Sequence, residues 1–133
     1  MQTKHILGHA EATRILAAAR AHAQAHQWAV SIAVVDDGGH LLALERLDGA
    51  AASTAYLCTE KARSAALTRR ESADLENIVK NGRTAFLSAP LLTPLEGGVP
   101  VVYQGHVVGA VGVSGVRSSD DADIARAGIA ALG

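Results

Sequence analysis

The chain has 133 residues, 49% of them hydrophobic, and a formal net charge of −1. So balanced a charge argues against binding to nucleic acid or to an anionic membrane, and one Trp, one Phe and two Tyr cannot form a row of base-stacking platforms. No stretch approaches the ~20 consecutive apolar residues that span a bilayer, and the N-terminus lacks the apolar block of a signal peptide. We therefore expect a cytoplasmic protein, folded as one domain over residues 1–133, with no nucleic-acid or membrane partner.

The first half of the chain predicts a helix, a hairpin and a second helix. From about His9 to His26 the sequence is rich in alanine and free of proline, with apolar residues at helical spacing. Residues 28–47 hold two extended runs separated by Asp-Asp-Gly-Gly, which favours a tight hairpin turn. Residues 53–70 predict the second helix, and the carboxylate of Asp48 is expected to cap it.

The second half predicts a short helix, an irregular segment, a second hairpin and a closing helix, over residues 72–82, 84–98, 99–115 and 118–132. Ser72 is expected to cap the short helix, and Ser118 and Asp121 to form a capping box on the last one. The aspartates in the first turn of this closing helix are explained by their favourable interaction with the helix dipole, without a metal site. Two hairpins among four helices imply an antiparallel sheet and an α+β fold.

The stretch Gly105–Gly115 contains four glycines and invites comparison with a phosphate-binding loop. A Walker loop needs Gly-Lys-Ser/Thr, but no lysine follows Lys80, and the dinucleotide pattern Gly-x-Gly-x-x-Gly is absent. Gly109 and Gly112 lie inside a β pattern instead. Glycine there removes the side chain, so that a backbone, a packed helix or a flat ligand can approach closely.

The histidines and the single cysteine do not by themselves indicate a metal or catalytic site. Cys58 is the only cysteine, which excludes an intramolecular disulfide and favours a buried, inert thiol. His22 and His26 are four residues apart on the first predicted helix and share a face. Without a third ligand in view, an exposed pair is favoured over a metal site. Any of the six histidines could serve as an axial ligand of haem iron.

Three charged residues are candidates for a ligand pocket. Arg46 and Asp48 lie where the second predicted strand runs into the second helix, and Arg46 can either pair with a carboxylate of the chain or clamp that of a ligand. Lys61 lies on the second helix among small residues. It can be a solvated lysine, a second cation in a pocket or a desolvated catalytic amine.

Four segments resemble the GlcG/HbpS family, which includes the C-terminal domains of PduO proteins. They are VSIAVVDDGGHLLALERLDGA, EKARSAAL, LEGGVPVVYQGHVVGAVGVSG and DDADIARAGIAAL, and the resemblance covers roughly residues 8–132. The positions that match the family's pattern are Asp36, Gly39, Arg46, Asp48, Gly49, Lys61, Gly97, Gly98, Pro100, Gly109, Gly112, Ser114, Gly115 and Asp121. Leucine replaces the usual methionine between Arg46 and Asp48, a mild departure.

The resemblance implies a profilin-like α+β fold, in which an antiparallel sheet is flanked by helices, and homo-oligomers from tetramer to octamer. It also implies haem, or another tetrapyrrole, as ligand, with links to haem or cobalamin metabolism or to redox sensing. None of the motifs fixes the iron ligand, although a histidine near the first helix points to His9 or His22. The residues expected to contact the ligand are Arg46, Lys61, Gly97, Gly98 and Ser114.

Two other functions compete with haem binding. The first is a small catabolic enzyme or accessory protein, in which Arg46, Asp48 and Lys61 act on a small carboxylate by isomerisation, hydration or deamination. The second is a purely structural oligomer, because alanine-rich helices pack closely and apolar surface is abundant.

Overall fold

A computed structural model describes residues 1–133 and places one four-stranded antiparallel sheet between two layers of helices. In chain order the elements are α1 (His9–Ala25), β1 (Ser31–Asp36), β2 (Leu41–Arg46), α2 (Ala52–Thr68), α3 (Ser72–Lys80), a 3-10 helix (Thr84–Ser88), β3 (Gly98–Tyr103), β4 (His106–Ser114) and α4 (Ser118–Ala130). The predicted α+β class with an antiparallel sheet is confirmed. None of the helices is long and apolar enough to cross a membrane.

The two hairpins join through their inner strands, which gives the strand order β2-β1-β4-β3. In the central pair Ser31 lies opposite Ser114 and Asp36 lies opposite Gly109, and Arg46 of β2 lies opposite Ser31. Directly opposed residues point to the same face of a sheet. Arg46, Ser31 and Ser114 therefore form one row at the end of the sheet where β2 and β4 finish.

One face of the sheet carries the larger hydrophobic core, which α1 and α4 cover. Ile32 of β1 and Val111 of β4 point into this core and meet Ile15 of α1 and Ile124 of α4, all of them without solvent exposure. Each such side chain contributes about 1.5–3 kcal/mol by its burial. Branched aliphatic residues dominate because the chain has few aromatic rings with which to fill the space.

The opposite face is covered by α2, and here the contact is made by small residues. A β-carbon on Gly112 would overlap the carbonyl oxygen of Cys58 and lie 2.9 Å from the β-carbon of Ala62. A β-carbon on Gly98 would overlap the carbonyl oxygen of Lys61. Glycine in these strands therefore lets the backbone of α2 rest directly on the sheet. Of the three possible neighbours of the glycine-rich stretch, the structure places a packed helix there.

The predicted helix caps are wrong. The residues that precede α2, α3 and α4 are Ala51, Glu71 and Arg117, and none of them caps its helix through a side chain. Asp48 lies too early in the chain to cap α2, and Ser118 is already inside α4. The hydroxyl of Ser72 instead accepts the N–H of Gly98 at 2.8 Å and ties α3 to β3. For Ser72, a tertiary contact has therefore replaced the helix cap that local rules predict.

Candidate functional site

A buried ion pair connects the two helical layers. The ammonium of Lys61, on α2, donates to the carboxylate of Asp121, on α4, at 3.2 Å and to the backbone carbonyl of Val113 at 3.0 Å. The two charged side chains are only 5% and 2% exposed. The pair sits at the end of β4, where the sheet no longer separates α2 from α4.

The carboxylate of Asp121 is held on its other side by backbone. Its second oxygen accepts the N–H of Val116 at 3.1 Å, which fixes the turn between β4 and α4. Burial raises the pKa of this carboxyl, and the Lys61 ammonium and the Val116 N–H oppose that rise without cancelling it. Sequence reasoning explained Asp121 by the helix dipole and missed this pair, because no local pattern links two residues so far apart in the chain.

Lys61 was predicted to contact a ligand, but its side chain is buried in this ion pair. A β-carbon on Gly97 would lie 2.9 Å from the Lys61 ammonium and 2.6 Å from the carbonyl oxygen of Val113. Glycine at this position therefore makes room for the lysine side chain. Gly97, Gly98 and Ser114 are themselves buried. The structure packs these residues against one another and opens neither of its two main cavities onto them.

The first main cavity, called here the His5 cavity, lies between the N-terminal segment, β3, β4 and the end of α4. Its volume is about 380 Å³. It is lined by His5, Ile6, Leu7, Glu11, Arg14, Val101, Val102, Tyr103, Val108, Ile129, Leu132 and Gly133. Most of the wall is aliphatic, so the cavity offers an apolar ligand the kind of surface that small-molecule sites use.

Four polar side chains, those of His5, Glu11, Arg14 and Tyr103, interrupt the apolar wall of the His5 cavity. The imidazole of His5 meets the ring of Tyr103 edge to face, with 4.8 Å between ring centroids, and makes no hydrogen bond within the chain. A ring nitrogen without a hydrogen-bond partner in the chain is available to bind a metal. The guanidinium of Arg14 donates to the carbonyl of Ala131 at 2.8 Å, which holds a cation at the rim. The cavity therefore offers a ligand an apolar wall, an imidazole that can bind a metal, and both a cation and a carboxylate.

The two histidines expected as iron ligands lie outside this cavity. His9 is exposed at the start of α1. His22 is half-buried, with its ring 4.7 Å from that of His26, which in turn stacks on Trp28 at 4.4 Å. No group of three or more possible metal ligands occurs anywhere in the chain. Sequence reasoning did not single out His5 as an iron ligand, because the wall that surrounds it comes from distant parts of the chain.

The second main cavity, called here the Arg46 cleft, is wider and more polar. Its volume is about 400 Å³, and it is lined by Gln24, Gln27, Trp28, Ala29, Arg46, Leu47 and Asp48. The structure therefore brings Arg46 and Asp48 together, as the sequence suggested, and places Lys61 elsewhere. The opposed charges of Arg46 and Asp48 could hold a small polar ligand between them.

Cys58 is buried in the contact between α2 and the sheet, as predicted. Burial raises the pKa of its thiol to about 11. At neutral pH the side chain is therefore a thiol rather than the thiolate that reacts or binds metals.

The chain is similar to known proteins over most of its length. A family model described as haem-degrading protein HbpS-like matches residues 7–130, so the chain belongs to the HbpS-like family. The chain is 60% identical to protein GlcG of Escherichia coli K12 over 114 residues, which cover 86% of this chain and 85% of that protein.

Solved structures show the same fold. A double mutant of HbpS from Streptomyces reticuli is 31% identical, with a TM-score of 0.91 over 100% of this chain and 91% of the other. A PduOC:haem complex is 26% identical, with a TM-score of 0.86 over 96% of this chain and 95% of the other. Together these relatives support membership of a family with haem-binding members.

Proposed function

We propose that this protein binds haem in the His5 cavity. The observation that carries the proposal is an apolar cavity with an unengaged imidazole on one wall and an arginine at its rim. Membership of the HbpS-like family and the likeness to a haem complex support it. The function proposed is binding, and the haem-degrading activity in the family's description is not part of it.

The residues of the His5 cavity fit a haem. The aliphatic side chains of Val102, Ile129 and Leu132 would cover part of the macrocycle, and burying each stabilises the complex. His5 would bind the iron, and Arg14 would pair with a propionate. Bound haem would supply an iron centre whose accessibility and redox potential depend on its protein ligand and on the apolar wall.

A hemin titration tests the proposal. Hemin is added to the purified protein, and the Soret band is followed against the same additions in buffer. We expect saturable binding at about one hemin per chain, and His5→Ala should weaken it by roughly 10- to 100-fold because a metal bond is lost. His9→Ala and His22→Ala are matched controls that should bind like the wild type. A wild-type protein without a saturable Soret shift would remove the proposal.

The competing enzyme hypothesis has weaker support. It needs Arg46, Asp48 and Lys61 around one substrate, but Lys61 is buried in its ion pair with Asp121. A catalytic amine would have to leave that pair and cross the α2–sheet contact. Turnover of a small carboxylate by these three residues is therefore the second candidate.

We also propose that the protein forms homo-oligomers, from tetramer to octamer. Large apolar side chains remain at the surface of α2 and of the segment after α3. Tyr56, Leu87 and Leu91 are 76%, 60% and 62% exposed. Subunit contacts would remove this area from water. Light scattering should give at least four times the chain mass of 13.7 kDa, and a monomer at micromolar concentration would contradict the proposal.

A further inference from the structure

The Arg46 cleft is a separate site from the His5 cavity, and the two share no lining residue. It lies where α1 and β2 end, at the end of the sheet where Arg46, Ser31 and Ser114 form a row. A test of ligand binding in this cleft can therefore fail while haem binding in the His5 cavity is confirmed, and the reverse.

Two opposite charges in this cleft lack partners. Arg46 and Asp48 are exposed, and neither side chain makes an ion pair or hydrogen bond, with each other or with the rest of the chain. The neighbouring carboxylate of Glu45 is already engaged, since both of its oxygens accept from Arg20 at 2.8 Å. The guanidinium of Arg46 therefore keeps the planar fork of donors that matches a carboxylate.

The rest of the lining is suited to a small polar molecule. Gln24 and Gln27 contribute amides that donate and accept hydrogen bonds, and Trp28 contributes a flat apolar side. The ring of His26 stacks on Trp28 with an interplanar angle of 18°, which holds the indole in place.

Gln27 occupies a backbone position that normally belongs to glycine. It ends α1 with φ of 58°, and the N–H of Trp28 closes back on the carbonyl of Ala23 at 2.9 Å. This is a Schellman motif, whose left-handed residue is usually glycine because a β-carbon is strained there. The side chain of Gln27 lies on the wall of the cleft, where its amide can hydrogen-bond a ligand.

We propose that the Arg46 cleft binds a small acid that carries one carboxylate and, beside it, a hydroxyl or ammonium donor. Arg46 would take the carboxylate in a bidentate pair, and Asp48 would accept from the donor. A simple acid without the donor would leave Asp48 unpaired. A dicarboxylate would bring its second negative charge against Asp48, so it should bind least well.

Four acids of similar size separate these cases: L-lactate, L-alanine, propionate and malonate. Trp28 is the chain's only tryptophan, so its fluorescence and its indole N–H resonance in nitrogen-15 NMR both report on the cleft. We expect saturable changes with lactate, alanine or both, with a Kd of ~1 mM, which is ordinary for so small a ligand. Propionate and malonate should bind at least ~10-fold more weakly, the usual cost of losing one charge-assisted hydrogen bond.

Variants assign the two contacts. Arg46→Gln should abolish saturation, and Asp48→Asn should reduce the preference for donor-bearing acids over propionate to nearly one. Arg69→Gln is the matched control, because Arg69 is also exposed and free of ion pairs but lies outside the cleft. Equal binding of propionate, unchanged binding by Arg46→Gln, or no saturable response to any probe up to about 100 mM would each overturn the proposal.

A second pair of variants separates binding from folding. Gln27→Gly and Arg69→Gly both relieve a left-handed residue at a helix end, where φ is 58° and 59°. Each should raise the melting temperature by about 3–5 °C. Only Gln27→Gly should also weaken the binding of lactate or alanine. Unchanged affinity in Gln27→Gly would show that the amide takes no part and would contradict its place in the site.

Discussion

Removing one charge of the Lys61–Asp121 pair should cost far more stability than its single hydrogen bond suggests. In Lys61→Met the carboxylate of Asp121 stays buried at 2% exposure, with backbone N–H groups but no positive charge facing it. In Asp121→Asn the ammonium of Lys61 stays buried with only neutral oxygens, such as the carbonyl of Val113, as partners. Leaving one buried charge unpaired costs about 3–5 kcal/mol, so we expect each single variant to lose that much at pH 7.

The double variant Lys61→Met/Asp121→Asn contains neither charge, and its asparagine can still accept from Val116. It should therefore be more stable than either single variant, which gives a coupling energy of at least about 3 kcal/mol. Urea unfolding followed by circular dichroism measures all four proteins, with an unchanged m-value as the check on two-state behaviour. Losses that simply add, with coupling below about 0.5 kcal/mol, would refute the idea that the two charges stabilise each other.

The same cycle predicts a pH dependence. The folded-state pKa of Asp121 lies above its ordinary value, so its contribution to stability is complete below the ordinary pKa. That contribution is lost as the pH rises through the folded pKa. Lys61→Met removes the charge that opposes the rise, so its stability should fall more steeply from acid to neutral pH than that of the double variant. Parallel curves for the two variants would contradict the assignment.

Three further predictions concern stability and reactivity. Gly112→Ala should lower the free energy of unfolding in urea by about 3 kcal/mol, because α2 must move off the sheet. Gly105 lies in open space with φ of 78°, so Gly105→Ala should cost only about 1 kcal/mol. Equal costs would contradict the close helix contact. Burial would raise the pKa of Asp36, but hydrogen bonds from His40 and Gly38 outweigh it and lower that pKa. The stability that Asp36 contributes should therefore be lost as the pH falls through the lowered pKa, and Asp36→Asn should reduce the loss of stability at acid pH. Cys58 should not react with a thiol reagent at pH 8 until urea unfolds the chain, and rapid native labelling would show that the thiol is accessible.

Local patterns were enough to predict the elements and the class of fold. The alanine-rich run before His26 and the Asp-Gly turn of the first hairpin are short-range signals, and helical and extended spacing separate the remaining segments. The glycine at position 112 also predicted a close approach, although the sequence could not say that α2 makes it. That contact depends on the order of strands, which joins residues distant in the chain.

The site was predictable only in part, for the same physical reason. Arg46 and Asp48 are two residues apart, so their shared cleft is a consequence of local geometry. Lys61 meets Asp121 only after two helices pack around the end of β4, and His5 acquires its apolar wall only after α4 returns to β3. Side chains that serve tertiary contacts leave no periodic trace in the sequence.

Iron-edge anomalous diffraction from crystals of the hemin complex would decide whether haem occupies the His5 cavity, because it locates the metal independently of the side chains. We expect one iron peak per chain in that cavity, within bonding distance of a ring nitrogen of His5 and with the macrocycle against β3 and the end of α4. An iron peak beside His9 or His22, or in the Arg46 cleft, would contradict haem binding through His5.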